Sequence, residues 1–200
     1  MELVGVLALQ GGFGLHSDRI RGLGYEVREV RDPGDLEGLG ALILPGGEST
    51  TLGLLLGRRG LDEALPRVIR AGLPVFGTCA GAILLASVVV GSDQYRLGTF
   101  DLAIQRNAYG SQVDSFETEL DGNQALGGAP LPAVFIRAPR ITGWGPGVEV
   151  LARHQGDPVL VRQGTQVAAT FHPELTASGT IHRWFLETVA GLPAPVQTSR

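Results

Sequence analysis

The sequence predicts an α/β domain: a three-layer, doubly wound mixed sheet with helices on both faces. Three observations predict it. Short apolar runs alternate with segments of helical spacing through the first half of the chain. One such run, Leu73-Pro74-Val75-Phe76, turns directly into a helix-forming stretch around the unique Cys79. From about residue 98 the pattern shifts to short extended runs broken by Gly and Pro, which reads as antiparallel or mixed strands added to the sheet.

Each element follows from its residues. Residues 3–9 are short and apolar, as in a buried strand, and Gln10-Gly11-Gly12 ends them. Residues 15–23 carry Leu15, Ile20 and Leu23 at helical spacing, which predicts those three inward. Residues 25–30 alternate like a second strand, and residues 41–44 form a third, stopped by Pro45-Gly46-Gly47. Two helices are expected over about 50–57 and 61–71, then the strand and helix that flank Cys79. Extended runs are expected at 97–104, 133–137, 148–152, 158–161 and 167–171. A final helix over about 176–190 places Ile181, Trp184, Phe185 and Val189 on one face. With no repeat or linker in between, residues 1–190 read as one domain and residues 191–200 as a loose tail.

The bulk properties narrow the function. Two hundred residues suffice for one domain with a substantial core. A net charge of −4 argues against nucleic acid or an anionic membrane as the main partner. One cysteine leaves no intramolecular disulfide and no Cys-rich zinc site. No apolar run is long enough to span a bilayer, and Met-Glu-Leu-Val-Gly-Val has no basic region typical of a signal peptide. The expected location is the cytoplasm. All 16 basic residues are Arg, so chemistry through a lysine imine would have to occur on another chain.

Gly-Thr-Cys-Ala-Gly, residues 77–81, has the form of a nucleophile elbow. Its small residues permit a sharp turn, and a helix N-terminus beside sulfur favours thiolate. Far downstream stands Phe171-His172-Pro173-Glu174. In an extended segment residues two apart share a face, so His172 and Glu174 are candidates for a base and its orienting carboxylate. Taken singly, each feature has a plainer reading. A lone Cys is more often a small buried hydrophobe, and a His-Pro-Glu is usually a surface loop. Pro45-Gly46-Gly47-Glu48-Ser49-Thr50 could present backbone N–H groups to an oxyanion, or could be a turn with Ser49 or Thr50 as helix cap. Arg106 and Arg137 are candidates for binding a carboxylate, or ordinary surface arginines.

The set of motifs resembles the class I, triad-type glutamine amidotransferases and their flavodoxin-like fold. More narrowly, it resembles the glutaminase-subunit family of pyridoxal 5′-phosphate synthase. The segments are Val6-Leu7-Ala8-Leu9-Gln10-Gly11, Leu44-Pro45-Gly46-Gly47-Glu48-Ser49-Thr50, Gly77-Thr78-Cys79-Ala80-Gly81, Arg106-Asn107-Ala108-Tyr109-Gly110-Ser111-Gln112, Ser115-Phe116-Glu117, Phe135-Ile136-Arg137-Ala138-Pro139 and Phe171-His172-Pro173-Glu174-Leu175-Thr176. The elbow and His-Pro-Glu are shared by many amidotransferases; Pro-Gly-Gly-Glu-Ser-Thr, Arg-Asn-Ala-Tyr-Gly and Phe-Ile-Arg-Ala-Pro are much narrower.

The resemblance implies Cys79 as nucleophile, His172 as acid–base and Glu174 as its orienting group. It implies an oxyanion hole from the N–H groups of Gly47 and Ala80. Glutamine would be held by Gly47, Glu48, Ser49, Arg106, Ile136 and Arg137. It implies hydrolysis of L-glutamine to glutamate and ammonia, with no cofactor or metal. The ammonia would pass to a lysine-bearing synthase subunit in a hetero-oligomer. Gln10 and the Gly11–Gly14 turn fall where the family docks that subunit, though Gly11-Gly12-Phe13-Gly14-Leu15-His16 departs from the family's usual charged helix start. A glutaminase serving another acceptor, such as imidazole-glycerol-phosphate synthase, is the alternative, and Arg-Asn-Ala-Tyr-Gly argues against it. His16, His154 and His182 match no catalytic motif and read as surface or helix residues.

Overall fold

The computed structural model describes residues 2–106, 115–121, 124–128 and 130–195. Most of the Arg-Asn-Ala-Tyr-Gly motif and the last five residues lie outside them.

The elements in chain order are β1 (Leu3–Leu7), α1 (Phe13–Gly22), β2 (Glu26–Val30), β3 (Ala41–Leu44), α2 (Ser49–Arg59), α3 (Leu61–Arg70), β4 (Val75–Thr78) and α4 (Ala80–Leu85). Then come β5 (Ala86–Val90), β6 (Phe100–Gln105), β7 (Phe116–Leu120), β8 (Leu131–Phe135), β9 (Arg140–Trp144), β10 (Glu149–His154), β11 (Asp157–Gln163), β12 (Gln166–Ala169) and α5 (Thr180–Trp184). A π-helical turn, Phe185–Val189, continues α5.

A seven-stranded sheet forms the centre, in the order β10-β11-β12-β4-β3-β1-β2. From β12 to β2 its neighbours run parallel, while β10-β11-β12 are antiparallel. The inner parallel strands β1 and β3 read as continuous apolar runs because both faces are covered. Within β3, Ile43 joins a core with Ile20 of α1 and with Ile181 and Phe185. Its neighbours Leu42 and Leu44 join the opposite core, with Leu52 and Leu56 of α2 and Leu65 of α3. Period-two alternation in the strands thus serves two helical layers.

Three expectations change. The late strands do not all join the central sheet: β5, β6 and β9 form a separate sheet, and among the described residues β7 and β8 form a two-stranded one. The Gly and Pro breaks between them are legible in the sequence, but strand partnership is a long-range choice that local pattern does not encode. In α1, Leu15 is exposed and the buried residues are His16, Ser17 and Ile20. Finally, Leu192 is buried and its N–H donates to the Leu186 carbonyl at 2.9 Å, so the chain stays on the core past residue 190. Ile181, Trp184, Phe185 and Val189 are all buried as expected, although the helix begins at Thr180 rather than 176.

Two glycines let α4 lie against the sheet. A Cβ on Gly81 would stand 1.9 Å from the Leu44 carbonyl oxygen, and one on Gly77 would stand 2.7 Å from the Gly81 backbone. The obstacle is backbone in both cases, so no side chain can turn aside. Gly81→Ala is therefore expected to cost about 1–3 kcal/mol of stability and to lower the melting temperature by roughly 2–10 °C. Scanning calorimetry checks this; an unchanged midpoint would contradict the close approach.

Candidate active site

The site forms at the carboxyl ends of β4 and β12, where open α/β sheets place their ligands. These strands are parallel neighbours, with Ala168 opposite Gly77 and Ala169 opposite Thr78. The next rung is the Cys79 N–H, which donates to the Ala169 carbonyl at 2.8 Å. Cys79 follows β4 directly and His172 follows β12 by three residues, so the pairing delivers thiol and imidazole to the same edge.

Cys79 has φ 49° and ψ −106°, a backbone conformation that costs a non-glycine residue about 1–3 kcal/mol. This is the elbow expected from Gly-Thr-Cys-Ala-Gly. The thiol is buried and lies beside the His172 side chain, close enough to couple to it. Nδ1 of His172 lies 2.7 Å from Glu174 Oε1, so the other ring nitrogen serves the thiol. The pair does not meet through strand alternation as expected: Pro173–Leu175 is a 3₁₀ turn, and the turn folds the carboxylate back onto the ring. The His172 N–H is tied to the Val134 carbonyl at 2.8 Å, which fixes the turn to β8.

The electrostatics favour a protonated His172 imidazole beside an ionised Glu174. Burial pushes the His172 imidazole down, but hydrogen bonds and charge from Cys79 and Glu174 outweigh it and raise its pKa to about 10. Burial would raise the Glu174 carboxyl; hydrogen bonds from His16 and His172 outweigh that and hold it well below the carboxylate range.

The Gly-Gly turn stands against His172 and Cys79. A Cβ on Gly46 would lie 2.5 Å from His172 Cε1 and 3.3 Å from Cys79 Cβ. Gly47 has φ 151°, which favours glycine. The cap of α2 is Glu48, not Ser49 or Thr50: its carboxylate accepts from the Thr50 N–H at 3.1 Å and the Thr51 N–H at 2.7 Å. A carboxylate reaches one residue further than a hydroxyl, which frees the two hydroxyls. Ser49 is buried and donates to Gln94 Oε1 at 3.1 Å. Arg106 donates to Gln94 Oε1 at 2.6 Å, Glu48 Oε1 at 2.9 Å and Thr50 Oγ1 at 3.0 Å. Arg137 sits at φ 43° beside Ile136. Gly47, Glu48, Ser49, Cys79, Arg106, Ile136, Arg137 and His172, with Ile83, line one cleft of about 240 Å³. Larger clefts, of about 410 and 430 Å³, contain neither the thiol nor His172.

Of the candidate catalytic and binding residues, Ala80 and Glu174 are not among those lining the cleft; Ala80 follows Cys79 as the first residue of α4, and Glu174 lies behind His172. His16 and His182, expected as surface or helix residues, do lie on helices α1 and α5 but are fully buried. Nε2 of His16 lies 3.2 Å from Glu174 Oε2 and 3.2 Å from Thr78 Oγ1, and its Nδ1 lies 2.9 Å from His182 Nε2. A polar residue on the inward face of α1 was the available signal. His154 is partly buried against the rings of Phe116 and Phe135.

This fold and thiol site define a glutamine amidotransferase. The comparisons with known proteins agree: a family described as the SNO glutamine amidotransferases matches residues 6–191, and the chain belongs to it. A protein from Pelotomaculum thermopropionicum called pyridoxal 5′-phosphate synthase subunit PdxT is 55% identical over 184 residues, covering 92% of this chain and 93% of the relative. The protein of the same name from Thermus thermophilus is 55% identical over 187 residues, covering 92% and 96%. A solved structure described as a glutamine amidotransferase superposes with a TM-score of 0.89 at 51% identity, covering 94% of this chain and 99% of that one.

Glu48 offers a test of the site's electrostatics. Burial would raise its pKa, but hydrogen bonds from Thr51 and Thr50 bring it from 4.5 down to about 2. A depressed carboxyl contributes stability above the unfolded pKa, and that stability is lost as pH falls through the folded value. Glu48→Gln should therefore be less stable than wild type at pH 7. The gap should shrink between about pH 4.5 and pH 2 in denaturant titrations; a constant gap across that window contradicts the cap.

Proposed function

We propose that this chain hydrolyses L-glutamine to glutamate and ammonia through Cys79, His172 and Glu174, as the glutaminase subunit of a pyridoxal 5′-phosphate synthase. The single observation that carries the reading is the continuous contact from the elbow thiol through His172 to Glu174, open to a cleft that holds paired charges. The names of the two relatives support the choice of synthase.

In this mechanism the Cys79 proton moves to His172, and the thiolate attacks the side-chain amide carbon. The N–H groups of Gly47 and Ala80 receive the developing oxyanion. His172 then protonates the departing nitrogen, which leaves as ammonia. The thioester is hydrolysed by a water that gives its proton to His172, and glutamate is released. Glu174 stays ionised throughout and stabilises the imidazolium. Glu48 and Arg106 present one negative and one positive group side by side, which suits the zwitterionic head of an α-amino acid. Ser49, Ile136 and Arg137 close the remaining wall.

The ammonia goes to a lysine-bearing synthase subunit, and this chain has no lysine to form imines of its own. The cytoplasm is the proposed compartment. Among the described residues no helix is long and apolar enough to cross a membrane.

Docking at the Gln10–Gly14 edge is positioned to control catalysis. Gln10 Oε1 accepts from the Glu48 N–H at 3.1 Å. A Cβ on Gly11 would stand 1.7 Å from the Gly46 carbonyl oxygen. The edge and the Gly-Gly turn are thus in direct contact, and a partner that moves one moves the other.

Cys79→Ala should abolish glutamate release with the fold intact, and a thiol-directed glutamine analogue should label Cys79 alone by mass spectrometry. His172→Asn should lose roughly 10²–10⁴-fold in kcat, with Glu174→Gln milder. Wild-type turnover by Cys79→Ala would remove the nucleophile.

The isolated chain should be a poor glutaminase. Steady-state glutamate release should rise by roughly 10²–10³-fold, the worth of one oxyanion donor, on adding the cognate synthase. Full turnover by the chain alone, unchanged by the partner, would discard this gating.

A further inference from the structure

Behind Glu174 lies a second, fully buried polar layer. His16 on α1, Thr78 on β4 and His182 on α5 converge there, and none of the three has measurable solvent exposure. Burying three polar side chains between helix and sheet is unfavourable unless each is satisfied, and apolar residues would seal the same interface at lower cost.

Their hydrogen bonds have a direction. His182 has a partner at only one ring nitrogen, Nε2, and among the described residues its Nδ1 has none. A buried N–H without an acceptor is worse than a bare lone pair, so the single proton of a neutral His182 belongs on Nε2. Burial pushes its pKa down to about 3, which keeps it neutral. His182 Nε2–H therefore donates to His16 Nδ1, 2.9 Å away. That leaves the His16 proton on Nε2, which faces both Glu174 Oε2 and Thr78 Oγ1 at 3.2 Å. Among the described residues Oε2 has no fully formed hydrogen bond, and the His16 nitrogen at 3.2 Å is the donor placed to serve it. The other carboxylate oxygen, Oε1, serves His172.

We propose that His16 is a positioning residue of the glutaminase: it holds the second oxygen of Glu174 so that the first meets His172 Nδ1, and His182 sets the tautomer that lets it do so. The inference rests on the glutaminase reading above. Without His16, Oε2 is a buried anionic oxygen with no donor. The carboxylate then rotates or takes up a proton, and either change weakens its hold on the imidazolium. Substrate contacts are untouched, because neither His16 nor His182 lines the cleft.

The test is glutamine hydrolysis by the complex with its synthase. His16→Leu should lower kcat by roughly 10- to 100-fold, no more than Glu174→Gln does, with KM within about twofold of wild type. His16→Gln, which keeps an N–H near the Nε2 position, should recover most of the loss. His16→Leu added to Glu174→Gln should change kcat by less than about twofold, since a group acting through Glu174 has nothing left to position. His182→Leu, which leaves Glu174 untouched, carries the same cycle should His16→Leu fold poorly; it should show a smaller loss that likewise vanishes in Glu174→Gln. Wild-type kcat in His16→Leu, or losses that multiply in the double variants, would overturn the inference alone. No glutamate release by the wild-type complex would overturn it together with the glutaminase reading.

Discussion

The parallel pairing of β4 with β12 is the constraint on which the site depends. One rung beyond the strands, the Cys79 N–H reaches the Ala169 carbonyl. That bond helps hold Cys79 in a backbone conformation it would not adopt alone, and it brings a residue from position 79 beside one from position 172. At the same edge α4 lies close against the sheet over Gly77 and Gly81. Local strain at the elbow is thus supported by the core on both sides of the sheet.

Charge is organised outward from the same edge. Glu174 is buried and ionised, and His172 sits between it and the thiol. On the far side of the cleft, Glu48 is held by the first turn of α2 and pairs with Arg106. Glu48 thereby caps a helix, anchors a guanidinium and borders the Gly-Gly turn at once. The polypeptide around Gly46 is squeezed between Gly11 on one side and His172 on the other. A shift of the Gln10 edge therefore has a short mechanical path to the reacting groups.

Much of this was legible before any coordinates. The alternation of apolar runs and helical spacing locates β1, β3, α2, α3 and β4 within a few residues, because those signals are local. Cys79, His172 and Glu174 stand out through flanking residues that only particular turns require. What misled was also local. Leu15 sits at helical spacing for an inward face, yet α1 turns His16 and Ser17 inward instead. Its polar partners, Thr78, Glu174 and His182, come from three distant segments, and no window along the chain contains them together.

By itself, then, the sequence indicated the fold class and singled out Cys79, His172 and Glu174 as candidates, since these are written in short patterns whose backbone demands are intrinsic. The tertiary structure alone decided which strands share a sheet, that Glu48 caps α2, that a 3₁₀ turn joins His172 to Glu174, and that two histidines lie beneath the carboxylate. Those outcomes rest on contacts between residues far apart in the chain. Their free energies come from burial and hydrogen-bond satisfaction, quantities that exist only once the segments have met.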